Sequence, residues 1–221
     1  MQIQAKNYQI LYLKSKMKVK VCGLNNPSSI SELNKVGIDF MGFIFFKKSP
    51  RFISKDLILS NLSKQKVGVF VNENLETIIN YTKKYNLAYV QLHGDEEPSF
   101  CKKLMKVVKV IKAFRVSNDY DINLTNSYIE CCDYFLFDTE SDKFGGSGKK
   151  FDWDIIREFT RKKFILSGGI DLNSIEKINK IKKENKCLIA VDINSKFEIS
   201  PGTKDVEKIK IFLKNLNDGK L

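Results

Sequence analysis

Val67-Gly68-Val69-Phe70-Val71 is an apolar run without polar alternation. A strand covered on one face alternates, whereas a run like this one reads as a strand covered on both. Asn72 closes it. The stretch Asn74–Lys84 then opens on Asn and carries Leu75, Ile78, Ile79 and Thr82 at helical spacing. The same unalternated pattern returns in Leu188-Ile189-Ala190-Val191.

Six further β-branched or aromatic runs join these two, giving eight candidate strands. They are Lys18–Cys22, Phe40–Phe46, Lys66–Val71, Ala88–Leu92, Val107–Ala113, Tyr134–Phe137, Lys163–Leu166 and Leu188–Asp192. Their recurrence every ~20–30 residues is that of βα units. Asp171–Lys183 and Lys204–Leu216 read as amphipathic helices, the first with Leu172, Ile175, Ile178 and Ile181 on one stripe. Between Val116 and Cys132, Asn and Asp dilute the period, and no full helix is predicted. Alternating strands and helices allow a closed barrel or a doubly wound open sheet. No G-x-G-x-x-G follows the first strand, which weakens a dinucleotide-binding sheet. The reading is therefore α/β, a single (β/α)8 TIM barrel over residues 17–221, preceded by a poorly ordered extension, residues 1–16.

The length of 221 residues suits one such domain. Cys22, Cys101, Cys131, Cys132 and Cys187 form no C-x-x-C pair, so neither a disulfide framework nor a zinc site is indicated. Free thiols fit a reducing, cytoplasmic setting. The net charge of +12 raises a nucleic-acid partner. The lysines, however, are spread along the chain without a basic tract interleaved with aromatics, so no nucleic-acid partner is expected. No apolar stretch approaches the ~20 residues of a membrane span, and no membrane partner is expected.

Chemistry in a barrel collects at the C-terminal ends of the strands. Cys22 ends the first, His93 the fourth, Asp138 the sixth, Ser167-Gly168-Gly169 the seventh, and Asp192-Ile193-Asn194-Ser195 the eighth. A lone cysteine is ordinarily a small buried apolar residue. At a strand end facing Asp138, a thiol tuned by nearby cations becomes a general base and the carboxyl a general acid. The Gly168-Gly169 pair and a short helix opening near Ser195 suggest a phosphate site. Arg51 suits a carboxylate. His93 reads equally as a catalytic group or an orienting hydrogen-bond partner. Asp95 is predicted to cap a helix beginning near Glu96.

Taken in order, several segments resemble phosphoribosylanthranilate isomerases from Met17 to the C-terminus. They include Lys20-Val21-Cys22-Gly23-Leu24, Gly42–Phe46 with Lys48-Ser49-Pro50-Arg51, and Val67–Asn72. Val90-Gln91-Leu92-His93-Gly94-Asp95, Phe144–Lys149 with Phe151-Asp152-Trp153, Leu166–Gly169, Asp192, and Pro201-Gly202 with Lys204-Asp205 complete the set. The resemblance implies an Amadori rearrangement of N-(5-phosphoribosyl)anthranilate in tryptophan biosynthesis, with Cys22 as general base and Asp138 as general acid. It implies Arg51 on the anthranilate carboxylate, and Ser167, Gly168, Gly169, Asn194 and Ser195 on the phosphate. His93 and Asp192 complete the active site, and the partner is a small sugar phosphate. Both steps are proton transfers, so neither metal nor organic cofactor is called for. A monomer or homodimer is expected.

The family usually has Ser-Ser-Gly where this chain has Asn194-Ser195-Lys196. Lysine there is strained if the backbone keeps a glycine-like positive φ; at an ordinary φ its ammonium can supplement a phosphate site, the preferred reading. A related barrel isomerase of histidine biosynthesis typically has aspartate at the position of Cys22, which argues against that rival.

Overall fold

The computed structural model describes residues 16–53, 57–139 and 151–218. Eight parallel strands close into a barrel in chain order. They are β1 (Lys18–Val21), β2 (Phe40–Ile44), β3 (Gln65–Phe70), β4 (Tyr89–Leu92), β5 (Lys109–Val116), β6 (Tyr134–Thr139), β7 (Phe164–Leu166) and β8 (Leu188–Ile193). The last strand pairs with the first, setting Lys20 beside Asp192 and Val21 beside Ile193.

Alternation across each pleat divides the apolar residues between two cores. Phe40, Val67, Ile111, Ala113, Leu136, Ile165 and Ala190 fill the barrel interior. Residues of the opposite parity, such as Val19, Met41, Phe70, Val90, Phe135 and Val191, face outward into the larger core under the surrounding helices. The runs without alternation in β3 and β8 are thus apolar on both faces because both faces are covered.

Among the described residues, five α-helices surround the strands: α1 (Pro27–Asn34), α2 (Leu75–Tyr85), α3 (Pro98–Leu104), α4 (Ile175–Glu184) and α5 (Val206–Asp218). Asn74 caps α2 by accepting the Thr77 N–H at 2.8 Å, and Asn86 ends it in the left-handed region at φ 48°. Asn26 caps α1 the same way, with Pro27 at the first helical position. Before α4, Asp171 and Ser174 form a reciprocal capping box around a short 3-10 turn, so the α-helix begins three residues later than its apolar stripe, which starts at Leu172. The diluted stretch before Cys132 holds a 3-10 helix, Ile122–Tyr128. None of the helices among the described residues is long and apolar enough to cross a membrane.

Two expectations need correction. Asp95 caps no helix: α3 starts at Pro98 after Glu97, and Asp95 instead pairs with Arg115 at 2.8 Å and accepts from Asn72. The fifth strand runs from Lys109 to Val116 rather than from Val107, because the Val107 and Val108 N–H groups bond back to Leu104 in the turn after α3. The extension up to residue 15 and the Gly145-Gly146-Ser147-Gly148 loop lie outside the described residues.

Candidate active site

The strand ends converge on a cavity of about 700 Å³ including its open mouth, the size of a small-molecule site. Cys22, His93, Asp138, Ser167, Gly168, Gly169, Asp192, Asn194 and Ser195 all line it. The pleat explains the convergence. Asp138, Ser167 and Asp192 share the inward parity of Leu136, Ile165 and Ala190 and stand two positions beyond them, and Cys22 and His93 follow the inward Lys20 and Gln91 in the same way. Cys22, His93 and Ser167 each stand one step past a strand, yet their N–H groups still reach carbonyls of the neighbouring strand: Ile193 at 2.9 Å, Phe70 at 2.8 Å and Phe137 at 2.8 Å. The groups are therefore held by sheet-type hydrogen bonds rather than by free loops.

Cys22 is buried, and its surroundings are specific. Gly42 on β2 leaves room for it: a Cβ there would lie 2.8 Å from Cys22 Sγ and 2.9 Å from its Cα. Beneath it, Lys20 is fully buried and its Nζ sits 2.8 Å from Asp192 Oδ2. Burial pushes the Cys22 thiol above its ordinary value, and the Lys20 ammonium opposes that push. Burial works against the charge on Lys20, but Asp192 and Cys22 more than compensate and keep it protonated. The result is a thiol that burial holds neutral, beside a buried cation that offsets part of the cost of forming the thiolate.

Across the mouth, Asp138 Oδ2 lies 3.3 Å from His93 Nε2, and Asp138 Oδ1 accepts the Thr139 N–H at 2.9 Å. His93 Nδ1 is 2.8 Å from Gln91 Nε2. Among the described residues, Gln91 Oε1, His93 Nε2 and Asp192 Oδ1 are buried without a hydrogen-bond partner. All three belong to residues lining the cavity. Buried polar groups are rarely left so, and three around one cavity mark a place built for a polar ligand.

At the other side of the mouth, Gly168 (φ 89°) and Gly169 (φ 63°) take the chain away from β7 in a conformation that side chains rarely adopt. A Cβ on Gly168 would also meet Thr139 Oγ1 at 2.2 Å. A 3-10 turn, Ser195–Phe197, follows β8, as the expected short helix. Lys196 lines the cavity and is not among the residues of positive φ, so the strained reading of that lysine does not hold.

Arg51 is the one predicted residue that does not line the cavity. Its guanidinium instead grips Glu198, through Nε at 2.9 Å and Nη2 at 2.8 Å. Glu198 belongs to a two-stranded hairpin, β9 (Glu198–Ser200) with β10 (Thr203–Lys204). Lys204 Nζ reaches both Glu198 Oε1, at 2.6 Å, and Asn194 Oδ1, at 2.7 Å, linking Arg51 to the end of β8. Glu198 carries no local signal that singles it out, and Lys20 and Lys204 fall in segments of the resemblance without a role assigned; only closure of the barrel shows what the three touch.

A closed parallel barrel whose mouth gathers a thiol, a carboxyl, an imidazole and a glycine turn defines an enzyme of the (β/α)8 class equipped for proton transfer. The model of one family, N-(5'-phosphoribosyl)anthranilate (PRA) isomerase, matches residues 19–215. The chain belongs to that family and is an isomerase of tryptophan biosynthesis. It is 39% identical to the N-(5'-phosphoribosyl)anthranilate isomerase of Parabacteroides distasonis over 208 residues, which cover 90% of this chain and 93% of that one. The Thermotoga maritima enzyme is 36% identical, with 90% and 98% covered. A solved structure of phosphoribosyl anthranilate isomerase from T. maritima superposes with a TM-score of 0.78 at 35% identity, covering 91% of this chain and 99% of that one. Another, in complex with reduced 1-(o-carboxyphenylamino)-1-deoxyribulose 5-phosphate, gives 0.74 at 33% identity, with 91% and 99% covered.

Proposed function

We propose that Cys22 and Asp138 carry the two proton transfers that convert N-(5-phosphoribosyl)anthranilate to 1-(2-carboxyphenylamino)-1-deoxyribulose 5-phosphate. Asp138 protonates the ribose ring oxygen, the C1–O bond breaks, and the anthranilate nitrogen's lone pair forms an iminium. Cys22, as thiolate, removes the proton from C2. The electrons of that C–H bond shift toward the iminium nitrogen, giving an enolamine that tautomerises to the ketone. The observation that carries this reading is the placement of thiol and carboxyl around one cavity edged by unpartnered buried polar atoms.

The phosphate falls to Ser167, Gly168, Gly169, Asn194 and Ser195, with Lys196 adding a charge at the same rim. The anthranilate carboxylate falls to Arg51, whose Nη1 has no hydrogen-bond partner among the described residues while Glu198 holds its other edge. Ile44, Phe46, Val69 and Val71 supply apolar wall for the aromatic ring. The decisive experiment is a fluorescence assay following loss of phosphoribosylanthranilate with purified protein. Absence of turnover in a folded sample would overturn the reading.

The remaining readings concern the whole chain. It acts in the cytoplasm as a monomer or homodimer; a T. maritima relative is described as dimeric, and sedimentation of this chain decides its own state. Residues 17–221 form the catalytic domain, and residues 1–16 are an extension. A chain starting at Met17 should melt within a few degrees of full length; a large loss would mean that the extension packs on the barrel.

A further inference from the structure

Gln91 and His93 stand two residues apart on the inward face at the end of β4, and both line the cavity. Gln91 is 1% exposed, and its Nε2 lies 2.8 Å from His93 Nδ1. On the far side of the ring, His93 Nε2 lies 3.3 Å from Asp138 Oδ2. A carboxamide nitrogen can only donate. Nδ1 is therefore the acceptor, and the neutral imidazole carries its proton on Nε2, toward Asp138. The opposite amide orientation would put Gln91 Oε1 against an Nδ1–H. Once Asp138 has given up its proton, it would also leave a bare Nε2 lone pair facing a carboxylate oxygen, an acceptor against an acceptor in a buried site. The carboxylate left after proton transfer thus favours the amide orientation in which Nε2 carries the proton.

We propose that Gln91 is a positioning residue that locks His93 in the Nε2–H tautomer and, through it, holds Asp138 for proton transfer. The inference rests on the assignment of Asp138 as general acid. With the tautomer set, the Thr139 N–H donates to Asp138 Oδ1, and His93 Nε2–H stands 3.3 Å from Oδ2, near it but not hydrogen-bonded in the free protein. As Asp138 gives up its proton, both groups receive the carboxylate that forms, with only a short closure of the His93 contact. A role in barrel stability accounts less well for the geometry: Gln91 Oε1 is buried with no partner among the described residues, a cost that a purely structural polar residue would not carry.

The chain has a single histidine, so a sample labelled with 15N-histidine gives one imidazole spin system. Long-range 1H–15N correlation should show Nδ1 as the pyridine-type nitrogen and Nε2 as the pyrrole-type nitrogen in the neutral wild-type protein. An Nδ1–H tautomer, or averaged tautomers, would overturn the proposal. Gln91→Glu presents only acceptors to Nδ1 once ionised, so it should place a proton there. Turnover should fall by roughly 10- to 100-fold, as when an outer partner of a functional imidazole is lost, while KM moves little. A Gln91→Glu protein with unchanged turnover and unchanged tautomer would also overturn it. If Gln91→Glu does not fold, the wild-type spectrum decides alone. Full activity in Asp138→Asn would instead defeat the general-acid assignment, a result distinct from the tautomer that the spectrum reads.

Discussion

Glu198 holds Arg51 across 147 positions of chain, accepting from Nε and Nη2 in a bidentate pair. The carboxylate is also the partner of Lys204 and accepts the Gly202 N–H at 3.1 Å. Gly23 permits the approach, since a Cβ there would lie 2.6 Å from Arg51 Cδ and 2.8 Å from Asn194 Oδ1. One buried carboxylate therefore sets the guanidinium that is proposed to meet the substrate's anthranilate.

Glu198→Gln loses the charge that orients Arg51. KM should rise about tenfold, the ~1.4 kcal/mol of one charge-assisted hydrogen bond, with turnover less affected. Burial alone would push the Glu198 carboxyl up, but Arg51 and Lys204 outweigh it and hold it below the usual glutamate range. A depressed carboxyl stabilises the fold above its unfolded value, ~4.3, and that contribution disappears as pH falls through the lower folded value. Melting curves of wild type and Glu198→Gln should thus lie furthest apart near neutrality and converge in acid. A constant gap would show that Glu198 contributes through packing rather than charge.

Cys22→Ser should fold normally and lose at least ~100-fold in turnover, the lower range for a positioned proton transfer. Substitutions of Cys101, Cys131, Cys132 or Cys187 should leave catalysis largely intact. Because burial raises the Cys22 thiol, its alkylation by iodoacetamide in the free protein should accelerate only above the ordinary thiol range of ~8.5. Rapid alkylation at neutral pH would mean that Lys20 wins over burial.

Asp138→Asn keeps the shape of the side chain and removes its proton. Ring opening should become rate-limiting, so kcat collapses while substrate affinity changes little. A variant that binds poorly yet turns over well would reassign Asp138 as a binding residue.

Lys196→Gly tests the departure from the family pattern. With an ordinary φ at this position, no strain is relieved, and the melting temperature should not rise. Removing the ammonium from the phosphate rim should raise KM and flatten its dependence on salt. An unchanged KM at both low and moderate salt would remove Lys196 from the site.

Much of this is legible in the sequence. Unalternated runs such as Val67–Val71 and Leu188–Val191 require cover on both faces, and their repeat with intervening helices leaves few architectures. Strand ends could be found by counting, which is why Cys22, His93, Asp138, Ser167 and Asp192 were identified and all line one cavity. Asp95 misled because an acidic residue ahead of a helix reads as a cap, while Arg115 and Asn72 compete for the same carboxylate from other strands.

The linear pattern by itself determined the barrel and the residues at its mouth, because hydrophobic periodicity and strand length are local properties of the chain. Only the tertiary structure decided which groups touch: Lys20 with Asp192 beneath the Cys22 thiol, Glu198 on Arg51, Gln91 behind His93. The first two pairs lie 172 and 147 residues apart in sequence. Gln91 and His93 are close in the chain, but the meaning of their contact depends on Asp138, brought from β6. Charge and proton placement in a buried site follow distances of a few ångströms, and those are settled when the barrel closes, not along the chain.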